Sequence, residues 1–241
     1  EDLHALAICR NAFMTCLARA ARWQMTLQLL GEGPSDQVAV GAAVNACQNA
    51  SQWEEAILIL DTCAGGGNIA AFSAAISACE RAAQWQMAIH LLGCLSHGLY
   101  IGQNSVPAFN AAMSACEKAG RWQASMALLQ ELQDSQLKPT AVSYNAVLSA
   151  CEREALWPMA LQLFTERTAV FEVDEASFGS CISAVAQAAL WERCLAWVTN
   201  PELLGGRPKL IDASCISAAI MACQRSSRWS MALELFGVAQ K

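Results

Sequence analysis

Few charges, few histidines and no long apolar segment characterise this chain of 241 residues, and each shortage removes a class of protein. Charged residues make up only 15% of the chain and hydrophobic residues 55%, so the chain can bury a large interior. Even the stretch 82–116, which has no Asp, Glu, Lys or Arg, contains no run of about 20 continuous apolar residues, so we expect no membrane-spanning segment. Alternation typical of strands is also missing. An all-helical protein is therefore expected.

Catalytic and metal-binding motifs are missing as well. The sequence contains no phosphate-binding glycine loop, no nucleophile elbow and no paired carboxylates. The twelve cysteines form no CxxC pair, and the three histidines do not stand at ligand spacing from them. We expect no enzyme activity, no cofactor, no metal and no small-molecule substrate. The cysteines are interpreted as small buried apolar residues in a reducing compartment.

What the sequence does contain is a tryptophan that returns seven times, at Trp23, Trp53, Trp85, Trp122, Trp157, Trp191 and Trp229. The same small-residue pattern precedes it, as in SACERAAQW, SACEKAGRW and SACEREALW. The period is about 34 residues, as in helical-repeat proteins. A unit of this length cannot bury its own apolar face, so neighbouring units must stack and share one core. The sequence predicts a single repeat array over residues 1–241.

Each repeat is predicted to be a helical hairpin. A small residue follows each tryptophan by three positions and a bulky apolar residue comes four positions later, which is the spacing of one face of a second helix. Pro107 and Pro158 fall in first turns, where the missing N–H costs nothing, and the other four prolines fall between repeats. Stacked helix-turn-helix repeats make an α-solenoid.

A basic residue recurs near the end of the first helix of most repeats, in a chain whose net charge is −6. This basic ladder consists of Arg19, Arg81, Lys118, Arg153 and Arg225, with Asn49 and Gln187 at the two remaining positions. A regular row of positive charge suits a polyanion such as a nucleic-acid backbone. The alternative is that the residues interact with the helix dipole. Glu80, Glu117 and Glu152 directly precede ladder members, but neighbouring residues point about 100° apart, so they need not share a surface with them.

The pattern resembles the pentatricopeptide repeat family. The best match is the segment KPTAVSYNAVLSACER at 138–153, which is similar to that family's opening P-D-V-V-T-Y-N-x-L-I followed by a small and a basic residue. The tryptophan that opens the second helix departs from the family, which usually has an aliphatic residue there. The resemblance implies a right-handed α-solenoid with repeats at 7–36, 37–68, 69–105, 106–140, 141–174, 175–212 and a shorter 213–241.

The resemblance also implies binding of single-stranded RNA in a concave groove, one nucleotide per repeat, read by the fifth and the last residue of each repeat. The pairs are Asn11 with Asp36, Gly41 with Asn68, Ser73 with Ser105, Asn110 with Thr140, Asn145 with Asp174, and Gly179 with Asp212, and Ser217 stands alone in the last repeat. Hydrophobic residues at the second position, among them Ile8, Val38 and Val142, would flank the base, and the basic ladder would contact phosphates.

Base preferences follow from the same resemblance. The Asn11/Asp36 and Asn145/Asp174 pairs are expected to favour uridine, because a carboxylate accepts the imino N–H of uracil. Asn110/Thr140 points to a pyrimidine and Ser73/Ser105 to a purine. Gly41 and Gly179 have no side chain with which to read a base, so their repeats are expected to be permissive.

Two further expectations concern context. Proteins of this family act in chloroplasts or mitochondria in RNA processing, stability, editing or translation, and the chain looks like a segment of a longer protein with further repeats or protein partners. The competing interpretation is a protein- or peptide-binding scaffold of the tetratricopeptide type. That family has the same period, but it places its large aromatic residue early in the first helix, whereas this chain has Tyr144-Asn145 or Phe109-Asn110 there.

Overall fold

The computed structural model describes residues 2–32, 36–62, 69–97, 105–170, 175–199 and 213–239. Within these ranges all regular structure is helical, and the helices alternate between the first and the second helix of a hairpin. The first helices are α1 (Asp2–Arg19), α3 (Gln37–Asn49), α5 (Ile69–Arg81), α7 (Val106–Lys118), α9 (Ala141–Arg153), α11 (Glu175–Gln187) and α13 (Ala213–Arg225). The second helices are α2 (Trp23–Gly31), α4 (Trp53–Thr62), α6 (Trp85–His97), α8 (Trp122–Asp134), α10 (Trp157–Val170), α12 (Trp191–Thr199) and α14 (Trp229–Ala239).

The hairpins form two compact units. One unit comprises Glu1–Ala119 with Ala127–Lys138, and the other comprises Gly120–Met126 with Pro139–Lys241. In each unit a first helix packs on the first helix of the next hairpin, α1 on α3, α3 on α5 and α5 on α7 in one, and α9 on α11 and α11 on α13 in the other. Second helices such as α4 and α12 also contact the first helix that follows them. The predicted all-α architecture of stacked hairpins is confirmed, and in the described residues no helix has the length and apolarity needed to cross a membrane.

Small residues allow successive first helices to approach closely. Ala43, Ala46 and Cys47 of α3 are fully buried, as are the equivalent Ala75, Ala78 and Cys79 of α5. Burial raises the pKa of the Cys47, Cys79 and Cys151 thiols to about 11. These thiols are therefore protonated at neutral pH and pack as small apolar groups, as the sequence predicted.

A left-handed residue follows the end of each of the seven first helices. In α5 the N–H of Gln84 donates to the Cys79 carbonyl at 2.9 Å, the N–H of Ala83 donates to the Glu80 carbonyl at 3.1 Å, and Ala83 has a φ of 54°. This is a Schellman cap, which normally uses glycine because a Cβ is unfavourable at positive φ. Only Gly120 meets that preference here, and the equivalent residues are Ala21, Ser51, Ala83, Ala155, Ala189 and Ser227. The recurring segment between cysteine and tryptophan is thus the sequence of a helix cap.

The tryptophans lie at the N-termini of the second helices and are half-buried, apart from Trp229, which is 73% exposed. The tryptophans therefore lie at the edge of the core and not inside it. In the C-terminal unit, basic side chains from the following hairpin cover two of them. The guanidinium carbon of Arg193 lies 4.9 Å from the Trp157 ring centroid, and that of Arg228 lies 5.2 Å from the Trp191 centroid. Each ring thus joins one hairpin to the next through a cation–π contact.

We predict that Ala83→Gly stabilises the protein and that Gly120→Ala destabilises it, each by roughly 0.5 to 1 kcal/mol, because only glycine adopts positive φ without steric cost. Urea denaturation followed by circular dichroism would measure both changes. Ala12→Gly, at an exposed position inside α1, is the control and should cost about 1 kcal/mol of stability. Destabilisation of equal size by Ala83→Gly and Ala12→Gly would contradict the assignment of strain to the cap.

Candidate nucleic-acid interface

One face of the first helices carries most of the polar side chains at repeat spacing. Positions two, five, nine and twelve, counted from the start of each repeat given above, are three or four residues apart and so share one side of the helix. We call this the first-helix face. The residues at position two are exposed in all seven hairpins, and Val38 and Val142 are each 59% exposed. The residues at position five are half-buried, apart from the exposed Ser217.

In each unit a cavity opens on this face among the residues that the structure describes. The N-terminal cavity, of about 500 Å³, lies where α3, α5 and α7 meet and is lined by Gln48, Ser73, Ser77 and Pro107 among others. The C-terminal cavity, of about 470 Å³, lies where α9, α11 and α13 meet and is lined by Glu152, Gly179, Ser183 and Ser217 among others. The two cavities are lined by equivalent residues. These stand at position twelve of one repeat, at positions two, five, six and nine of the next repeat, and at position two of the repeat after that. Pockets of 300 to 1,000 Å³ are large enough for small planar ligands.

Asn11 and Asp36 are in direct contact. The Asn11 amide Nδ2 donates to Asp36 Oδ2 at 2.8 Å, and Asp36 Oδ1 caps α3 by accepting the Ala39 N–H at 2.8 Å. These two hydrogen bonds, together with the nearby Arg10, hold the pKa of Asp36 below its usual value, with the Asn11 bond as the largest cause. The carboxylate is therefore ionised and oriented, and two of its roughly four acceptor directions are in use.

The other expected reading pairs are less complete in the structure. Ser105 is fully buried, so its side chain lies out of reach of a base, and the Ser73 hydroxyl donates to the Ile69 carbonyl at 2.8 Å. The role of Ser105 in base reading stays a prediction, and the burial of its side chain counts against it. Thr140 caps α9 in a capping box with Ser143, and its partner Asn110 belongs to the other unit. Asn68, Asp174 and Asp212 lie outside the described residues.

Asn145 and Ser217 are both engaged by groups of their own unit. The Asn145 Oδ1 accepts a short hydrogen bond of 2.6 Å from the Ser177 hydroxyl of the next hairpin, and the Ser217 hydroxyl donates to the Ala213 carbonyl at 2.7 Å. Glycines occupy the same position in two repeats. A Cβ on Gly41 would meet nothing within 4 Å, and one on Gly179 would meet only the Ser214 Oγ at 3.8 Å. Space therefore remains beside both glycines.

The basic ladder lies at the last residue of each first helix, and its members are exposed. Some ladder positions reach back to the preceding hairpin. Arg225 donates to the Gln187 carbonyl at 2.8 Å, and the neutral Asn49 donates to the Ala18 carbonyl at 2.9 Å. Lys118 forms an ion pair with Glu80 at 2.9 Å. The sequence suggested that ladder residues interact with the end of their own helix. Arg225 and Asn49 bind instead to carbonyl groups at the end of the preceding first helix.

Carboxylates lie on the first-helix face. From the sequence alone they did not have to share a surface with the basic ladder. Glu80 Oε1 accepts from Lys118 Nζ and, at 3.0 Å, from the Ser114 hydroxyl at position nine of the next repeat. Glu152 lines the C-terminal cavity together with Gly179. The reason is periodicity, because position twelve lies seven residues after position five, which is two helical turns. From the sequence, position twelve was considered only as a neighbour of the ladder and position nine not at all, although they lie four and seven residues after position five and so share its side of the helix.

Stacked helical hairpins of this kind define a helical-repeat protein. A family model described as the PPR repeat matches residues 107–137 and 142–166, which are the α7–α8 and α9–α10 hairpins. Over these two hairpins the chain is similar to pentatricopeptide repeat proteins. No curated protein sequence matches it.

Solved structures with the same fold include the pentatricopeptide repeat protein PPR10 in complex with an 18-nt psaJ RNA element. Its sequence is 19% identical to the chain, the TM-score is 0.68, and the match covers 96% of this chain and 38% of that one. PPR10 from maize, in a further structure, matches with 18% identity, a TM-score of 0.56 and coverage of 96% and 39%. The chain thus spans well under half the length of these proteins.

We predict that Asn11→Ala raises the pKa of Asp36 toward its usual value, because the largest cause of its lowering is the Asn11 amide. Carbon-13 NMR titration of the Asp36 carboxyl group would measure the shift, and Asn145→Ala is the control that should leave it unchanged. Since the folded-state pKa is depressed, the stabilisation from Asp36 is present above the unfolded pKa and is lost as the pH falls through the folded value. In Asn11→Ala the loss should be smaller and should be complete at a higher pH, because the folded pKa lies closer to the unfolded one. An unchanged Asp36 pKa would show that the contact is absent in solution.

Proposed function

We propose that the chain binds single-stranded RNA along the first-helix faces, one nucleotide per repeat, and that it acts as a binding protein, not as an enzyme. The observation that carries this proposal is the repeated cavity, which each unit builds from the same positions of successive first helices. A ligand that matches such a site must itself be periodic. RNA offers one base and one phosphate per step, and its unstacked bases can enter pockets and be read at their edges.

Apolar and polar groups are arranged as base recognition requires. The exposed side chains at position two, such as Val38 and Val142, provide apolar contact for the faces of a base. Asn11, Asn145 and the position-nine serines provide donors and acceptors for its edges. The exposed Arg81 and Arg153 lie at the helix ends, where they would meet phosphates. The fold that PPR10 shares with the chain, in a structure containing RNA, supports the same function.

The Asn11/Asp36 pair supports uridine recognition in the first repeat. The Asp36 carboxylate is fixed by Asn11 and Ala39 and keeps acceptor capacity for the imino N–H of uracil. We propose the same preference for Asn145 with Asp174, and a pyrimidine for Asn110 with Thr140. Ser73 and Ser217 are proposed to contact bases through acceptor lone pairs, since their hydroxyl protons are used by backbone carbonyls. The repeats with Gly41/Asn68 and Gly179/Asp212 lack a reading side chain at position five.

Pentatricopeptide repeat proteins are organellar RNA-binding proteins. We accordingly propose a chloroplast or mitochondrion as the compartment, and processing, stabilisation, editing or translation of a transcript as the outcome of binding. A second candidate function, contact with a protein partner or a further repeat, is favoured by one observation. Trp229, Leu233 and Phe236 of α14 are 55–73% exposed on one side of the helix, and an apolar face of this kind is typical of an interaction surface.

Charge reversal at two ladder residues tests where RNA binds. Arg81→Glu/Arg153→Glu should weaken binding to short single-stranded RNA and reduce the slope of log K against log salt by roughly 1.4, because each phosphate contact contributes about 0.7. The control Arg22→Glu/Lys138→Glu makes the same change in net charge at exposed residues between helices and should have a much smaller effect. Lys118 is left unchanged because its removal would also break the ion pair with Glu80.

Fluorescence anisotropy at two salt concentrations would measure these affinities. Equal weakening by the two double variants would show that net charge, not the ladder, governs binding. If the folded native chain fails to bind RNA at low salt, the proposed function is wrong and a protein-binding scaffold becomes the better account.

Asn145→Thr tests the reading position itself. Loss of the amide removes the group that offers both a donor and an acceptor to a base edge, so the variant should lose its preference for uridine at one nucleotide, with preferences at the other nucleotides unchanged. Binding selections from a random RNA pool, made in parallel with the native chain, would measure this. An unchanged preference would show that Asn145 does not read a base.

A further inference from the structure

Glu80 and Glu152 occupy the same position of their repeats but have different neighbours. Glu80 is neutralised, since its carboxylate accepts from Lys118 and Ser114 of the next hairpin. At Glu152 the corresponding residues of the next hairpin are Gln187, which has no charge, and Ser183. Within the part of the chain that the structure describes, no group donates a hydrogen bond to the Glu152 carboxylate. One substitution in the basic ladder therefore leaves one carboxylate without a partner.

This carboxylate lies in the wall of the C-terminal cavity, where Gly179 leaves space for a ligand. Hydroxyl groups surround that space, from Ser180, Ser183 and Ser214, and Met221 contributes an apolar surface that is 48% exposed. A half-buried carboxylate accepts hydrogen bonds but donates none when ionised. The occupant that best satisfies it is planar, uncharged or cationic, and carries two adjacent N–H donors.

Among the four RNA bases only guanine presents two adjacent donors, N1–H and N2–H₂, on its Watson–Crick edge. Adenine and cytosine place a ring-nitrogen acceptor beside their amino group, and uracil flanks its single N–H with two carbonyl oxygens. In each of those three bases an acceptor would face the Glu152 carboxylate, which is unfavourable in a partly desolvated site. The charge pattern of the cavity therefore discriminates between bases.

We propose that the C-terminal cavity is a guanine-selective site, in which Glu152 accepts N1–H and N2–H₂ of a base that stands over Gly179. This inference rests on the proposed RNA-binding function, and it gives selectivity to a repeat whose position five has no side chain. The base-reading group is supplied by position twelve of the preceding repeat, across the interface between two first helices. The N-terminal cavity offers an internal comparison, because Gln48 takes the equivalent place there. A neutral amide offers both a donor and an acceptor and so imposes no such requirement.

A nucleotide scan tests the proposal without assuming a register. Guanosine, inosine and adenosine are placed in turn at each position of a short RNA that the native chain binds, and affinities are measured by fluorescence anisotropy. Guanosine should bind about tenfold or more tighter than adenosine at one position, next to the one affected by Asn145→Thr, since a bidentate contact discriminates by this amount. Inosine, which lacks the N2 amino group, should lose most of that advantage.

Glu152→Gln should abolish the guanosine preference at that position. Glu80→Gln is the matched control, because it removes the same charge from the same helix position and should leave the ratio of guanosine to adenosine affinity unchanged. Both variants lower the negative charge of the first-helix face, so a general increase in affinity is expected for both and carries no information on selectivity.

Three results would overturn the assignment in different ways. RNA binding without a guanosine preference in the native chain would refute the guanine site and leave the proposed function standing. A preference that Glu152→Gln retains, or that Glu80→Gln removes equally, would refute the role of Glu152. If the folded chain binds no RNA, the proposed function itself fails and the guanine site fails with it.

Discussion

The close packing of one first helix on the next is the constraint on which the rest of the structure depends. Fully buried alanine and cysteine residues, such as Ala46 and Cys47 of α3 or Ala78 and Cys79 of α5, bring neighbouring backbones together. Because the contact repeats with the same register within each unit, equivalent residues are placed at equivalent points of successive hairpins. The cavities, the caps and the inter-hairpin bonds of the ladder all follow from that register. A larger side chain at any of these positions would separate two helices and displace every contact beyond them.

The architecture could be predicted from the sequence because its features recur in every repeat. The spacing of tryptophan, of small residues and of the basic ladder indicated helical hairpins, because these features are local and repeated. Burial of Cys47 and Ala56 followed from the same pattern. The left-handed cap could not be predicted for the residue two places before each tryptophan. Alanine or serine occupies most of these places, and both are unusual at positive φ, where glycine is preferred.

The candidate site was predictable only where one repeat suffices to define it. The pairing of Asn11 with Asp36 came from the family pattern, which relates positions within one repeat, and the two side chains are in contact. The environments of Glu80 and Glu152 depend on a residue in the next repeat, Lys118 in one case and Gln187 in the other. No single repeat contains that information. Likewise, complete burial of Ser105 depends on the packing around the start of α7, which spacing does not show.

The buried cysteines have a consequence for the way in which the protein opens. Five hairpins carry a buried cysteine at one equivalent place, and for Cys47, Cys79, Cys151 and Cys223 burial raises the thiol pKa and so suppresses reactivity. A thiol of this kind reacts with an alkylating reagent only while its own hairpin is detached from the next one. The rates of alkylation therefore report the local opening free energy of one hairpin at a time, so the native sequence carries its own set of probes for the cooperativity of the stack.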